Sequence, residues 1–328
     1  MSGRIAFILR RLGHAILMVV GIAVLTFFVL RLIPGDLAEY MAAQGGGGDA
    51  AYVADLRARF GLDQPLWRQY IDFWRGLLHG DLGPSIAYVG STVSELIWAA
   101  IPYTLALLVP AIVLSYFAGN RVGAMAARRK VLDNTALPIA YILTATPYMW
   151  LAIVLVYFLS FKLGIFPVSG AYDFSLQPAW TLEFARSFIS HWFLPFLTLF
   201  LVSFGGWAIG MRNLIIYELE SEYSNYLQSL GAPTKLVRKY AYGNAVLPQM
   251  SGLALALGAV VGGALVTEIV FGYPGIGTLI ITALQNRDYF LMQGLFLLII
   301  IGVLIANFIV DIAYVIVDPR TRAGIQGS

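Results

Sequence analysis

The chain has 328 residues, of which 59% are hydrophobic and only 12% are charged, and its mean hydropathy is +0.77. Soluble domains carry about 25% charged residues, so this composition indicates a membrane protein. The net charge of +3 gives no reason to expect a nucleic-acid partner, and the absence of cysteine excludes disulfides, cysteine-based metal sites and thiol chemistry.

Uncharged runs between Asp, Glu, Lys and Arg predict where the helices lie. Six runs are near or above the roughly 18 residues that mark a spanning helix. They are 12–30, 96–120, 134–161, 187–211, 240–267 and 289–310. A seventh run, 269–286, contains a Gly-Tyr-Pro-Gly-Ile-Gly turn and is predicted to bend. We therefore predict an all-α membrane protein with six transmembrane helices.

The distribution of Lys and Arg predicts the orientation. With the N-terminus inside, 13 of the 21 basic residues fall in inner segments, so both termini are predicted to be cytoplasmic. We expect one transmembrane domain, 1–328. Its parts are a first helix (1–32), an external segment (33–95), a five-helix core (96–317) with an inner loop (213–248), and a cytoplasmic tail (318–328).

Residues 1–31 share the basic start and apolar run of a signal peptide. However, the 19 residues between Arg11 and Arg31 exceed a typical signal core, and no small-x-small cleavage site follows. We therefore predict a retained first helix.

The external segment is predicted to contain a glycine joint at 45–48 and two short helices, around 50–60 and 65–78. Asp49 and Asp63 are their expected N-caps. The second helix carries aromatic and apolar residues at helical spacing, which suits a helix lying on the outer interface or covering a translocation mouth. A platform for stacking carbohydrate is the alternative. These residues are Trp67, Tyr70, Phe73, Trp74 and Leu77.

The stretch Glu218–Met250 is the longest charged segment of the C-terminal half. Ser221 is predicted to cap a helix over 222–229, and Gly231 suits a left-handed stop. After Pro233, Thr234 is predicted to cap a second short helix that begins at Lys235. Such a segment is either a docking surface or a solvated connection.

Two carboxylates fall within apolar runs. Glu268 precedes the turn 272–277 and lies 20 positions beyond Pro248, which predicts a place near the outer end of its span. Asp311 lies in the last apolar run, with Asn307 one turn before it. A charge in hydrocarbon is costly, so each is a functional candidate, although capping re-entrant backbone or packing are the alternatives.

Catalytic motifs are absent from the sequence. HExxH and GxSxG do not occur, and neither does the dipeptide Gly-Lys, so the chain has no Walker A loop. We therefore predict that it is not an enzyme and binds no cofactor itself.

Several motifs occur in an order that resembles the dipeptide, oligopeptide and nickel permease family of ABC importers. After Glu222 come Gly231, basic residues and Asn244-x-x-x-Pro248, as in that family's cytoplasmic coupling loop. The segments Pro-Gly-Asp (34–36), Gly-Asp-Leu-Gly-x-Ser (80–85), the turn after Glu268 and Asp-Pro-Arg (318–320) extend the resemblance over nearly the whole chain. The family's loop carries small residues between Glu and Gly and usually a His before Asn. Here those places hold Ser224, Asn225, Tyr226 and Tyr240, so the loop departs from the pattern.

The resemblance implies a multi-pass permease subunit in the cytoplasmic (inner) membrane of a bacterium or archaeon. It implies a second homologous permease subunit, two ATP-binding subunits that hold ATP and Mg, and an external solute-binding protein. Oligopeptides are the expected substrate class, and oligosaccharides are the alternative. An ion-coupled secondary transporter is the rival class, and the absence of an obvious internal repeat counts against it.

The resemblance, together with the position of the loop between two spans, also gives the residues expected to couple the loop to the ATPase. They are Glu222, Leu227, Gly231, Ala232, Pro233, Thr234, Lys235 and Leu236. The candidates for a gate or the pathway come instead from the carboxylates within apolar runs and the turn after Glu268. They are Glu268, Tyr273, Pro274, Gly275, Asn307 and Asp311.

Overall fold

The computed structural model describes residues 2–32, 37–44, 49–258 and 265–317. These residues form thirteen α-helices and one π-helical segment, in two compact units. Of the described residues, the first unit contains those up to Pro102 together with Ile276–Leu304, and the second contains Tyr103–Gly275 and 305–317. The glycine joint predicted at 45–48 and the tail 318–328 lie outside the described residues.

The first unit contains four helices that precede α5, the start of α5 itself, and two later helices. The longer of these later helices continues into the second unit. The helices are α1 Ser2–Arg31, α2 Leu37–Gln44, α3 Ala50–Arg59, α4 Leu66–His79, the start of α5 Val93–Ala126, α12 Ile276–Gln285 and α13 Tyr289–Val317.

The two helices predicted in the external segment are confirmed as α3 and α4. Asp49 caps α3, since its side chain accepts a hydrogen bond from the Ala51 amide. The cap predicted at Asp63 is wrong. The N-cap of α4 is Pro65, whose extended backbone turns the chain into the helix without a side-chain bond.

Part of the aromatic face of α4 packs against α1, and part of it is exposed. Tyr70 and Phe73 lie 5.1 and 5.6 Å from the ring of Phe27 on α1, measured between ring centroids. Trp67 remains 61% exposed. A second core joins the start of α5 to α12 and α13, where Gly294 lets α13 approach Val93.

The second unit holds the remainder of α5 and the helices that follow it. Their bounds are α6 Lys130–Ala145, α7 Tyr148–Leu155, the π-helical segment Val156–Lys162, α8 Leu182–Leu219, α9 Glu222–Ser229, α10 Thr234–Gly258 and α11 Leu265–Val270. Small residues bring these helices together. A Cβ on Gly123 of α5 would lie 2.2 Å from the Ala208 carbonyl of α8, and one on Gly205 would lie 2.3 Å from the Ala140 carbonyl of α6. Close backbone approach at small residues is typical of packed membrane helices.

The sequence predicts one span over 134–161, but two helical parts related by a 105° bend occupy this run. The break precedes Pro147, and Thr146 adopts an extended conformation with ψ 125°. A proline disfavours helical geometry at the preceding residue, which explains the position of the break.

Within the described residues, α5 and α8 are long and apolar enough to cross a membrane, and the bent pair makes a third if it is one span. Shorter apolar stretches lie in α1 (Ile16–Val29), α12 (Ile276–Gln285) and α13 (Tyr289–Ile305). The all-helical class is therefore confirmed, while the six-span topology stays a prediction.

Candidate functional site

A Schellman turn closes α9 in the middle of the charged segment. Gly231 has a φ of 76°, and its amide donates to the Gln228 carbonyl at 2.9 Å. The Ala232 amide donates to the Leu227 carbonyl at 3.0 Å. These are the two hydrogen bonds that define the motif. The motif requires a positive φ at the residue after the C-cap, which is Gly231 here. The predicted left-handed stop at Gly231 is confirmed.

Capping on either side of this turn differs from the prediction. Ser221 is the N-cap of α9 by position, but its hydroxyl donates to the Glu218 carbonyl at 2.6 Å. Thr234 is the first residue of α10, so the predicted cap is wrong. The second helix is also not short, because it continues for 25 residues. Its buried residues Val237, Ala241 and Ala245 recur every four positions, so packing sustains the helix.

The segment 218–248 is here called the coupling segment. Glu218, at the end of α8, makes hydrogen bonds that connect α9 and α10 to α8. One carboxylate oxygen accepts from the Tyr223 hydroxyl at 2.8 Å and from the Asn244 amide at 3.1 Å. The Glu218 carbonyl also accepts from the buried Ser224 hydroxyl at 2.7 Å. Three successive helices therefore meet at one acidic residue, which the sequence analysis did not assign to the site.

Beneath the coupling segment lies a small core that anchors it to the long helices. Met211 and Ile215 of α8 pack with Ala245 of α10 in one buried cluster. Beside them, the guanidinium of Arg212 makes two 2.9 Å hydrogen bonds to the carboxylate of Asp133. Such a bidentate pair is directional, so it fixes α8 against the first turn of α6.

The predicted coupling residues lie mostly on the surface of this segment. Two of the eight, Leu227 and Ala232, are half-buried. The other six are exposed: Glu222, Gly231, Pro233, Thr234, Lys235 and Leu236. Exposed apolar side chains at Tyr226 and Leu230 flank them.

A basic groove of about 660 Å³ follows the turn. Its lining includes four cations, namely Arg128, Lys235, Arg238 and Lys239. No carboxylate of the described residues forms an ion pair with any of them. An uncompensated cluster of this kind favours an acidic partner surface.

The second candidate, Glu268, is fully buried in α11. Its carboxylate accepts a 2.8 Å hydrogen bond from the Thr104 hydroxyl of α5. The carboxylate also lies against Gly275, where a Cβ would fall 2.3 Å from the carboxyl carbon. Glycine at this position therefore makes room for the acid.

Tyr273 and Pro274, two further predicted gate residues, lie in the turn that follows Glu268. Tyr273 is buried with its ring 6.0 Å from that of Tyr103, and Pro274 is exposed. The side chains of Asn307 and Asp311 lie outside the described residues.

Asp288 is a buried acid that the sequence analysis missed. Its carboxylate accepts from the Ser85 hydroxyl at 2.6 Å and from the amides of Ile86 and Ala87 at 2.7 and 2.9 Å. It also accepts from the Leu291 amide at 2.9 Å in the first turn of α13. An Asp immediately before a long apolar run is an N-cap signal, and this signal could have identified it.

Two protein-family models together match most of the chain. Residues 119–323 match the family described as binding-protein-dependent transport system inner membrane component. Residues 4–108 match the N-terminal region of membrane components of the same systems.

Individual relatives agree with the family match. A probable D,D-dipeptide transport system permease protein of Escherichia coli is 32% identical over 96% of this chain and 97% of its own length. A di/tripeptide transport system permease protein of Pseudomonas aeruginosa is 31% identical over 97% of this chain and 99% of its own. A dipeptide transport system permease protein of E. coli is 32% identical over 96% and 98%. The chain therefore belongs to the inner membrane components of binding-protein-dependent transport systems, and it is a permease subunit without catalytic function of its own.

Proposed function

We propose that this permease carries short peptides into the cell. The similarity of nearly the entire chain to dipeptide and di/tripeptide permeases supports this substrate class. The resemblance to ABC importers implies that the energy comes from ATP hydrolysis by partner subunits, which hold ATP and Mg. This chain itself has no Walker A loop.

The proposed assembly contains a second homologous permease subunit, two ATP-binding subunits and an external solute-binding protein. It lies in the inner membrane with six spans and both termini in the cytoplasm. The coupling segment docks on an ATP-binding subunit. The exposed turn around Gly231 and the basic groove at Lys235, Arg238 and Lys239 support this role, since they offer apolar and cationic contacts to an acidic surface.

The import of a labelled dipeptide tests the proposed function. The complete importer is reconstituted in proteoliposomes with dialanine outside and ATP inside. Uptake that needs ATP and the binding protein is the expected result. Uptake of a disaccharide but not of dialanine would contradict the peptide assignment, and uptake driven by an ion gradient without ATP would contradict the ABC mechanism.

Side-specific labelling tests the topology. The chain has no native cysteine, so single cysteines can be introduced at Val89 in the external segment and at Leu230 in the coupling segment. These side chains are 90% and 66% exposed. An impermeant maleimide is expected to label Val89→Cys from outside in intact cells and Leu230→Cys only after the membrane is opened. The reverse labelling pattern would show that the chain has the opposite orientation in the membrane.

Glu268 and the turn that follows it are proposed to form part of the external gate. Gly275→Ala is expected to push the Glu268 carboxylate away from Thr104, because overpacking a filled core costs about 1–3 kcal/mol. Import is expected to fall, or ATP hydrolysis without substrate to rise, at least severalfold.

The matched control for this gate test is Gly206→Ala, since a Cβ there meets no atom within 4 Å. Glu268→Gln separates charge from packing, because it keeps the size and hydrogen bonding of the acid. Normal import by Glu268→Gln, together with failed assembly of Glu268→Leu, would show a packing role and refute the gate.

A further inference from the structure

Helix α4 connects the ends of two successive predicted spans of the chain. Near its start, the Gln69 side chain accepts a 3.1 Å hydrogen bond from Arg31, the last residue of α1. Just beyond its end, the Gly80 carbonyl accepts a 2.8 Å hydrogen bond from the Ser94 hydroxyl in the first turn of α5. Where one span ends and the next begins, the chain is at the same membrane surface. A helix of 14 residues, about 21 Å long, with one end at each of these points therefore runs close to the membrane plane.

The part of α4 that does not pack on α1 divides into two stripes. Residues spaced by four, three and four positions lie on one face of a helix. The first set with this spacing, here called the apolar stripe, is Trp67, Ile71, Trp74 and Leu78. The set that follows each of these by one residue, here called the charged stripe, is Arg68, Asp72, Arg75 and His79.

The two stripes differ in what can cover them. Every residue of the charged stripe is exposed, and Asp72 lies 3.7 and 3.6 Å from the guanidinium groups of Arg68 and Arg75. Charges paired this loosely are stable in water. Leu78 of the apolar stripe is nevertheless 80% exposed, and Ile71 is 39% exposed. A helix in the membrane plane with adjacent apolar and charged stripes has the form of an interfacial helix, which buries its apolar face between lipids.

A chain of aromatic contacts connects the apolar stripe to an exposed part of α1. The ring of Phe28 on α1 is 48% exposed and stacks on Tyr70, with 5.8 Å between ring centroids. Tyr70 in turn contacts Trp74 of the apolar stripe at 6.1 Å. Lipid that surrounds the end of α1 therefore reaches the apolar stripe. Tryptophan is enriched at this depth, because its ring is apolar and its N–H group is polar.

We propose that the apolar stripe of α4 lies among lipids, at the boundary between headgroups and acyl chains, while the charged stripe faces water. The partner of this surface is the lipid bilayer. The inference rests on the proposed placement of α1 and α5 as spans, but not on which side of the membrane the external segment faces. It requires neither peptide nor ATP, so it is tested separately from import.

The experiment measures the depth of single nitroxide labels. The chain has no native cysteine, so Ile71→Cys and Leu78→Cys place labels on the apolar stripe. The neighbours Asp72→Cys and His79→Cys are matched controls on the charged stripe. The complete importer is reconstituted in vesicles of phosphatidylethanolamine and phosphatidylglycerol, with a water-soluble nickel chelate on both sides. Oxygen, which concentrates in the bilayer, is the second relaxation reagent.

Oxygen is expected to relax the Ile71→Cys and Leu78→Cys labels at least severalfold more strongly, relative to nickel, than the two control labels. The corresponding depth is about 5–10 Å below the phosphates. Equal relaxation by nickel on both stripes would place the whole exposed side of α4 in water and overturn the proposal. An apolar stripe shielded from both reagents would also overturn it, because another protein surface would then cover α4. Labelling at Val89→Cys and Leu230→Cys, described above, reports a failure of the proposed orientation independently.

Discussion

Gly231→Leu is expected to lower ATP-driven peptide import by roughly five- to thirtyfold while membrane insertion and assembly persist. An L-residue in the left-handed conformation costs about 1–2 kcal/mol, which corresponds to a factor of this size in the population of the native turn. The effect comes from the backbone alone, because a Cβ on Gly231 meets no atom within 4 Å. Relief of the strain would redirect the chain between α9 and α10, and with it the surface proposed to dock on the ATPase.

Peptide uptake and peptide-stimulated ATP hydrolysis, both in proteoliposomes, are the two measurements. Gly243→Leu is a matched control, since Gly243 also has open space around it but lies inside α10 with an ordinary helical φ. The control is expected to retain activity. Normal uptake by Gly231→Leu, or equal losses in both variants, would contradict the role of the left-handed turn.

Asp288→Ala is expected to destabilise the chain by about 3 kcal/mol or more. The substitution leaves two buried backbone amides, at Ile86 and Leu291, and one partly buried amide, at Ala87, without this acceptor. Each unsatisfied donor of this kind costs about 1–3 kcal/mol. Asp288→Asn keeps one carbonyl oxygen, so a smaller loss is expected.

Thermal unfolding of the purified chain in detergent measures this effect. Asp55→Ala serves as the control, because Asp55 forms an exposed ion pair with Arg59, and such a pair contributes at most about 1 kcal/mol. If Asp288→Ala unfolds at the temperature of the control, the carboxylate does not hold the external segment to α13 as the hydrogen bonds indicate.

Two packing arrangements explain how the coupling segment is held. Glu218 brings together the end of α8, Tyr223 and Asn244, and Arg212 is paired with Asp133. These contacts are internal to the second unit and leave the turn at Gly231 and the cations of the basic groove exposed. The exposed tip is therefore available for the docking on an ATP-binding subunit that is proposed above.

The sequence by itself determined the membrane class, the family and the position of the local turns. The length of the apolar runs and the break at Gly231 and Pro233 depend on residues close in the chain, so local rules apply. The order of the motifs can be read along the chain without knowing how the helices pack. The predictions that failed were N-caps, where a residue close in the sequence takes the capping position. Thr234 entered the helix as its first residue, and Asp63 was replaced as cap by Pro65.

Only the tertiary structure determined which acidic side chains accept hydrogen bonds from distant residues, and which residues donate them. Asn244 is 26 residues from Glu218, Thr104 is 164 residues from Glu268, and Ser85 is 203 residues from Asp288. A local sequence pattern cannot identify hydrogen-bond partners at such separations, because the packing of whole helices brings these residues together. The bend of 105° between α6 and α7 has the same origin in part. Pro147 predicts a break in the helix, but the angle between the two halves is set by the helices against which they pack.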